Sequence, residues 1–174
     1  TTEVTNTRKS NVHELVEDQR SVVATALLNN VRYAAISVLC QVCFGLVLAA
    51  ILEDKALRRV SPLFRTTFFI PVVISISVVC LLFSFIYNPM DGLLNRFLEA
   101  VGLGGLIRPW LGSGKTAIWA TIAVSQWHST GYVMMLFIVA IQKIPEELFE
   151  AAEIDGAGRV RRFMMVTIPQ VREM

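Results

Sequence analysis

The residues best suited to chemistry gather in two places. After Ile144 the chain reads Pro145-Glu146-Glu147-Leu148-Phe149-Glu150-Ala151-Ala152-Glu153-Ile154-Asp155-Gly156-Ala157-Gly158. Pro145 suits a first helical residue, Glu146 and Glu147 complement the positive end of a helix dipole, and Gly156 can end a helix with positive φ. Leu148, Ala151, Ala152 and Asp155 share one helical face. The alanines let another surface approach closely, and Phe149 and Ile154 are apolar anchors. On the residues alone this is either docking chemistry or an ordinary surface loop, and no catalytic residue is expected. The second place is Gln126-Trp127-His128-Ser129 with Tyr132, neutral hydrogen-bond groups beside aromatic faces. Such a set can meet an uncharged solute, or it can bond to a neighbouring helix while Gly131 permits close packing, which is the commoner use.

Other candidates fall away on inspection. Gly112-Ser113-Gly114-Lys115-Thr116 resembles the end of a phosphate-binding P-loop, but Pro109 stands where the first glycine is required and an uncharged stretch follows at once. It reads as a turn, with Lys115 reaching toward headgroups. Cys40 and Cys43 make a C-x-x-C inside an apolar run, without the polar surroundings or second ligand pair of a metal or redox site; with Cys80 they read as helix packing. No metal and no cofactor are expected. His128 has no ionisable partner in the apolar stretches, which argues against a proton relay.

The elements that must position these residues are membrane helices. Of 174 residues 54% are hydrophobic and 17% charged, with a mean hydropathy of +0.56. A net charge of +2, scattered along the chain, points to no nucleic-acid partner. Tyr33 to Leu52, Thr66 to Met90 and Thr116 to Gln142 carry no charge, and roughly 20 helical residues cross a bilayer core of ~30 Å. Pro71 is expected to kink the second run by releasing the Thr67 carbonyl. Lys55, Arg58, Arg59 and Arg65 after the first run, and Lys143, Arg159, Arg161, Arg162 and Arg172 after the third, place those segments in the cytoplasm. Arg8, Lys9, Arg20, Arg96, Arg108 and Lys115 are sparser on the opposite side.

The expected order is therefore an extracytoplasmic polar segment (1–28), a transmembrane helix (29–52), a cytoplasmic loop (53–65), a transmembrane helix (66–88), an extracytoplasmic loop (89–115), a transmembrane helix (116–142) and a cytoplasmic segment (143–174). Within the outer loop Leu93, Leu94, Phe97, Leu98 and Val101 fall on one face of a short surface helix, and Trp110 suits the headgroup zone. A further helix is expected from Arg159 to Val166, ended by Pro169. The polar opening at Thr1 lacks the basic head and apolar core of a signal peptide, and both ends read as cut or processed.

Glu150-Ala151-Ala152 with Gly156, Val166, Ile168 and Pro169 resembles the EAA loop of binding-protein-dependent ABC importer permeases. Gln142 to Leu148, Asp155-Gly156-Ala157, Phe163, Asn30, Phe64-Arg65-Thr66, Pro71, Asp91-Gly92-Leu93-Leu94-Asn95, Trp127 and Gly131 are similar to the sugar-importer branch, whose members import maltose, other saccharides or glycerol phosphate. The resemblance covers most of residues 22 to 171. It implies an all-α integral membrane fold, three transmembrane helices of a roughly six-span permease, with a cytoplasmic two-helix coupling loop.

It further implies that Leu148, Phe149, Glu150, Ala151, Ala152, Asp155 and Gly156 dock on a dimer of a cytoplasmic ATP-binding subunit, where ATP is hydrolysed. A second permease subunit, an extracytoplasmic solute-binding protein and the bilayer of a prokaryotic plasma (inner) membrane are the other implied partners. Gln126, Trp127, His128 and Tyr132 are candidates for a sugar path. A secondary transporter or channel would explain the spans but not the Glu150 to Pro169 pattern, and a membrane-anchored P-loop enzyme would need the glycine missing at 109. A three-span piece alone is not expected to transport.

Overall fold

The structure is a computed structural model that describes residues 2–54, 57 and 59–173, with side chains from residue 20 onward. Lys55, Arg58 and the side chains of Arg8 and Lys9 lie outside the described residues. The helices are α1 (Thr2–Glu53), α2 (Ser61–Val73), α3 (Ile76–Ile86), α4 (Leu93–Ala100), α5 (Gly114–Gln142), α6 (Glu146–Ile154), α7 (Arg159–Arg162) and α8 (Ile168–Glu173). A 3₁₀ turn at Gly104–Leu106 follows α4, and a π-helical turn at Phe163–Thr167 joins α7 to α8. No strand occurs among the described residues.

Two compact units are present, Thr1–Ile36 and Ser37–Met174. The first is the leading part of α1, which is helical well before residue 29. The part of α1 long and apolar enough to cross a membrane is Arg20–Glu53, 34 residues with no proline to interrupt them. The second unit is built on α5, itself 29 residues long. Its core joins Ala49 and Leu52 of α1 to Met134, Ile138 and Ile141 of α5, with Val171 of α8 packed against them. Large apolar side chains on the outside, such as Leu39 (66% exposed), Val73 (75%) and Phe85 (67%), suit hydrocarbon better than water.

The second span departs from expectation. Instead of one helix kinked at Pro71, α2 runs through Pro71 and stops at Ile74, where the backbone turns extended (ψ 132°); α3 leaves at 94° to it. Pro71 cannot donate to the Thr67 carbonyl, and the loosened turn ends three residues later, with Ile74 N–H bonded to the Pro71 carbonyl at 3.2 Å. It is α2 that packs along α5, while α3 meets it through single side chains. Arg65 and Gln142 share Glu53, Phe68 lies against Gly131, Ile74 bonds to His128, Phe83 meets Trp127, and Tyr87 Oη donates to the Ala120 carbonyl. From Ala120 to Gln142 is about 33 Å of helix, the thickness of a bilayer core of about 30 Å. That length of α5 suits a membrane crossing, and the bent pair touches it toward both ends.

The outer loop is organised around Asn95. This buried side chain donates to the carbonyls of Pro89 (3.4 Å) and Arg108 (3.3 Å) and accepts from Trp110 Nε1 (2.8 Å). Trp110 is thus half-buried beside Tyr87. Gly92 is required by space, since a Cβ there would strike the carbonyls of Asn88 and Ile86. The apolar face expected on α4 splits: Leu94 and Leu98 turn half inward, while Leu93, Phe97 and Val101 stay exposed.

Candidate functional site

The α6 segment forms as its residues dictate, with one shift. Pro145 stands just outside the helix (ψ 133°), its carbonyl accepting from Leu148 N–H at 3.2 Å, and Glu146 and Glu147 occupy the first turn. At the other end Gly156 adopts φ +75°. Ala157 N–H bonds to the Ala152 carbonyl (2.9 Å) and Gly156 N–H to that of Glu153 (3.0 Å), the Schellman pair that closes a helix on a left-handed residue. Chain direction changes there by a fixed angle, which makes an elbow rather than a floppy loop.

A set of ion pairs holds this elbow. Arg162 Nη1 meets Glu153 Oε2 at 2.7 Å, closing α7 onto α6. Arg159 Nε meets Asp54 Oδ2 at 3.2 Å, tying α7 to the end of α1. Next door, Glu53 Oε1 accepts from Arg65 of α2 and from Gln142 Nε2 of α5 (3.1 Å), and Arg65 Nε also donates to Ser61 Oγ at 2.9 Å. The expected docking residues lie together on α6 and at its C-terminal turn. Leu148, Glu150, Ala151, Asp155 and Gly156 are exposed, Phe149 and Ala152 half-buried. Ile154 is 86% exposed and Val160 77%.

Beyond the elbow, the chain does not stop at Pro169. The π-helical turn sends Ile168 N–H back to the Phe163 carbonyl, five residues away. That wider turn precedes the proline, whose missing N–H falls in the first turn of α8, where it is not needed. Helix formation continues to Glu173.

The four polar and aromatic residues of α5 face different neighbours. Gln126 Nε2 donates to the Ser37 carbonyl of α1 at 3.2 Å, while Gln126 Oε1 and Ser37 Oγ are buried without hydrogen-bond partners among the described residues. His128 Nε2 lies 3.1 Å from the Ile74 carbonyl; an oxygen there can only accept, so that nitrogen carries the proton. Trp127 stacks edge-on against Phe83 with centroids 5.4 Å apart, and Tyr132 is half exposed. Gly131 admits α2 so closely that a Cβ would collide with the Phe68 carbonyl oxygen. At the start of α5, Gly112 and Ser113 form a turn with no strand before it, and Thr116 Oγ1 donates to the Trp110 carbonyl (2.9 Å). The cysteines are free thiols.

Residues 41–174 match the family described as binding-protein-dependent transport system inner membrane component. The chain belongs to this family. It is 58% identical over 164 residues to a probable ABC transporter permease protein, YurN, of Bacillus subtilis strain 168, covering 94% of this chain and 56% of that protein. It is 36% identical over 147 residues to the lactose transport system permease protein LacF of Rhizobium radiobacter, covering 84% and 49%. The chain spans about half the length of the curated relatives it matches. A bacterial alginate ABC transporter, solved in complex with alginate pentasaccharide-bound periplasmic protein, shares the fold at a TM-score of 0.76 and 24% identity, over 83% of this chain and 49% of that one. The family's members are membrane components of transport systems, not enzymes.

For a permease, the residues that sequence reasoning passed over are the acids. Glu53, Asp54 and Glu153 attracted no attention, because orientation was read from Lys and Arg alone. Two adjacent carboxylates within a basic loop were the available signal. Their partners Arg65, Arg159 and Arg162 were legible as charge but not as pairs.

Proposed function

We propose that this chain is the part of an ATP-driven importer's permease subunit that takes the force of the ATPase. In this reading α6 and Gly156 lie on the cytoplasmic side of a prokaryotic inner membrane and dock in a dimer of ATP-binding subunits. A second permease subunit and an extracytoplasmic solute-binding protein complete the assembly. Carbohydrate is the solute class, supported by the lactose permease relative and by the alginate transporter that shares the fold. One observation carries the proposal: a short helix, closed by its Schellman turn and joined to α7 by the Arg162–Glu153 pair, presents Leu148, Ala151 and Ile154 exposed.

The test is Gly156→Pro in the full subunit, reconstituted with its partners. Proline fixes φ near −65°, opposite in sign to the +75° this turn uses. Uptake should fall on the order of tenfold or more as the elbow loses its close, together with co-purification of the ATPase. Normal assembly with normal transport-coupled ATP hydrolysis would overturn the proposal, as would uptake driven by an ion gradient without ATP.

The same reading makes α5 a wall of the solute path. Trp127 and Tyr132 offer exposed aromatic faces, and Gln126 and His128 each commit one hydrogen bond to a neighbour while Gln126 Oε1 keeps an unused acceptor. Alanine at Gln126, Trp127 or Tyr132 should lower uptake or change solute preference. If all three leave both untouched, these side chains serve packing alone.

A further inference from the structure

We infer that Asp54 and Arg159 form a breakable latch through which the docking elbow moves α1, and that the adjacent Glu53 passes the same movement to α2 and α5. This rests on the reading of α6 as the ATPase-docking element.

The argument starts from how differently the two halves of the 143–174 segment are held. The trailing half is anchored by packing, since Val171 of α8 sits against the Ala49, Leu52, Met134, Ile138 and Ile141 core. In the leading half Ile144 is buried beside the end of α5, but α6 and α7 beyond it hold no buried residue. Between α7 and the end of α1 lies a cavity of about 310 Å³, lined by Val47, Ala50, Ile51, Leu57, Val160 and Phe163 among others. Apolar walls that do not close on one another contribute little cohesion. Across that cavity the contact is polar, Arg159 Nε to Asp54 Oδ2 at 3.2 Å. Arg159 is 68% exposed and Asp54 23%. An exposed pair of this kind is weak and can open and close without a large barrier.

Glu53 sits one residue earlier and is held differently. Its carboxylate accepts from both Arg65 and Gln142, and its side chain and that of Arg65 are only 21% and 26% exposed. Three helix ends therefore converge on one carboxylate with little water around it, which favours a lasting tie. Adjacent acids thus divide the work: Glu53 binds the ends of α1, α2 and α5 into a unit, and Asp54 couples that unit reversibly to the elbow. The Schellman close at Gly156 keeps α6 and α7 moving together, with Arg162–Glu153 beside it, so displacement of α6 reaches Arg159. Asp54 and Arg159 are positioning residues here. They touch neither nucleotide nor solute.

The test compares Asp54→Asn, Arg159→Gln, the double variant and Arg159→Lys in the full complex, reading solute imported per ATP hydrolysed. Each single neutral variant should lower that ratio about threefold, in keeping with a weak pair, while the ATPase still co-purifies in full. The double variant should be no worse than the poorer single one, because both changes remove the Asp54–Arg159 contact. Arg159→Lys, which keeps the charge, should recover most of the ratio. An unchanged ratio in either single variant overturns the latch. So does a double variant equal to the product of the singles, or a loss confined to assembly, which a purely structural contact would give. If the unmodified complex imports without ATP, the docking reading itself fails, and that result is distinct from any behaviour of the variants.

Discussion

A histidine in a span that holds no carboxylate or lysine needs a partner that is not a charge, and the break between α2 and α3 supplies one. Where α2 stops, the Ile74 carbonyl leaves the helical ladder, and within a membrane an unbonded carbonyl is costly. His128 reaches it from α5 at 3.1 Å. Replacing His128 by Leu should therefore destabilise the permease by on the order of 1 kcal/mol, the usual worth of a side-chain hydrogen bond between membrane helices. His128→Gln, which keeps an N–H donor, should recover part of the loss. The measurement is the thermal unfolding midpoint of the solubilised full subunit without solute, so that any role in the solute path does not enter. A Leu variant as stable as the unmodified protein, or a Gln variant no better than Leu, would remove this explanation for His128.

Elements that depend on local chemistry were legible, and those that depend on a distant neighbour were not. Gly156 announced its own positive φ because the helical stretch before it and the glycine after it lie within a dozen residues. The three charge-free runs announced helices by length alone. Pro71 was visible as a disturbance, yet the break falls at Ile74, whose carbonyl is met by His128 of another helix. The continuation of helix past Pro169 was hidden for a similar reason. A proline stops a helix in its interior, but a π-helical turn just before it starts a new first turn in which no N–H is required. Gly131 could be read as a close-packing residue, but not that Phe68 is what it admits. The α5 groups show the limit most plainly: Gln126 and Ser37 are 89 residues apart, and no spacing rule connects them.

At the scale of the whole molecule, the proposal turns on which side of the membrane the elbow occupies. Charge density is the argument for the inside: the loop after the first run and the segment after the third carry most of the Lys and Arg. The geometry supports the pairing of those two segments, since Glu53 joins the ends of α1, α2 and α5, and Asp54 reaches α7. The loop with α4 lies at the other end of α5, beyond Ala120. The two ends must therefore face opposite compartments if α5 spans, and a single labelling experiment assigns both. With Cys40, Cys43, Cys80 and any cysteine elsewhere in the full subunit replaced by Ala, Arg96→Cys and Arg161→Cys each give one thiol outside the spans. A membrane-impermeant maleimide should label R96C in right-side-out spheroplasts and R161C only in inverted vesicles. The reverse pattern would put α6 outside the cell, where no ATP-binding subunit could reach it. Labelling of both from one side would mean that α5 does not cross, and the equality of its contact path with a bilayer thickness would be a coincidence.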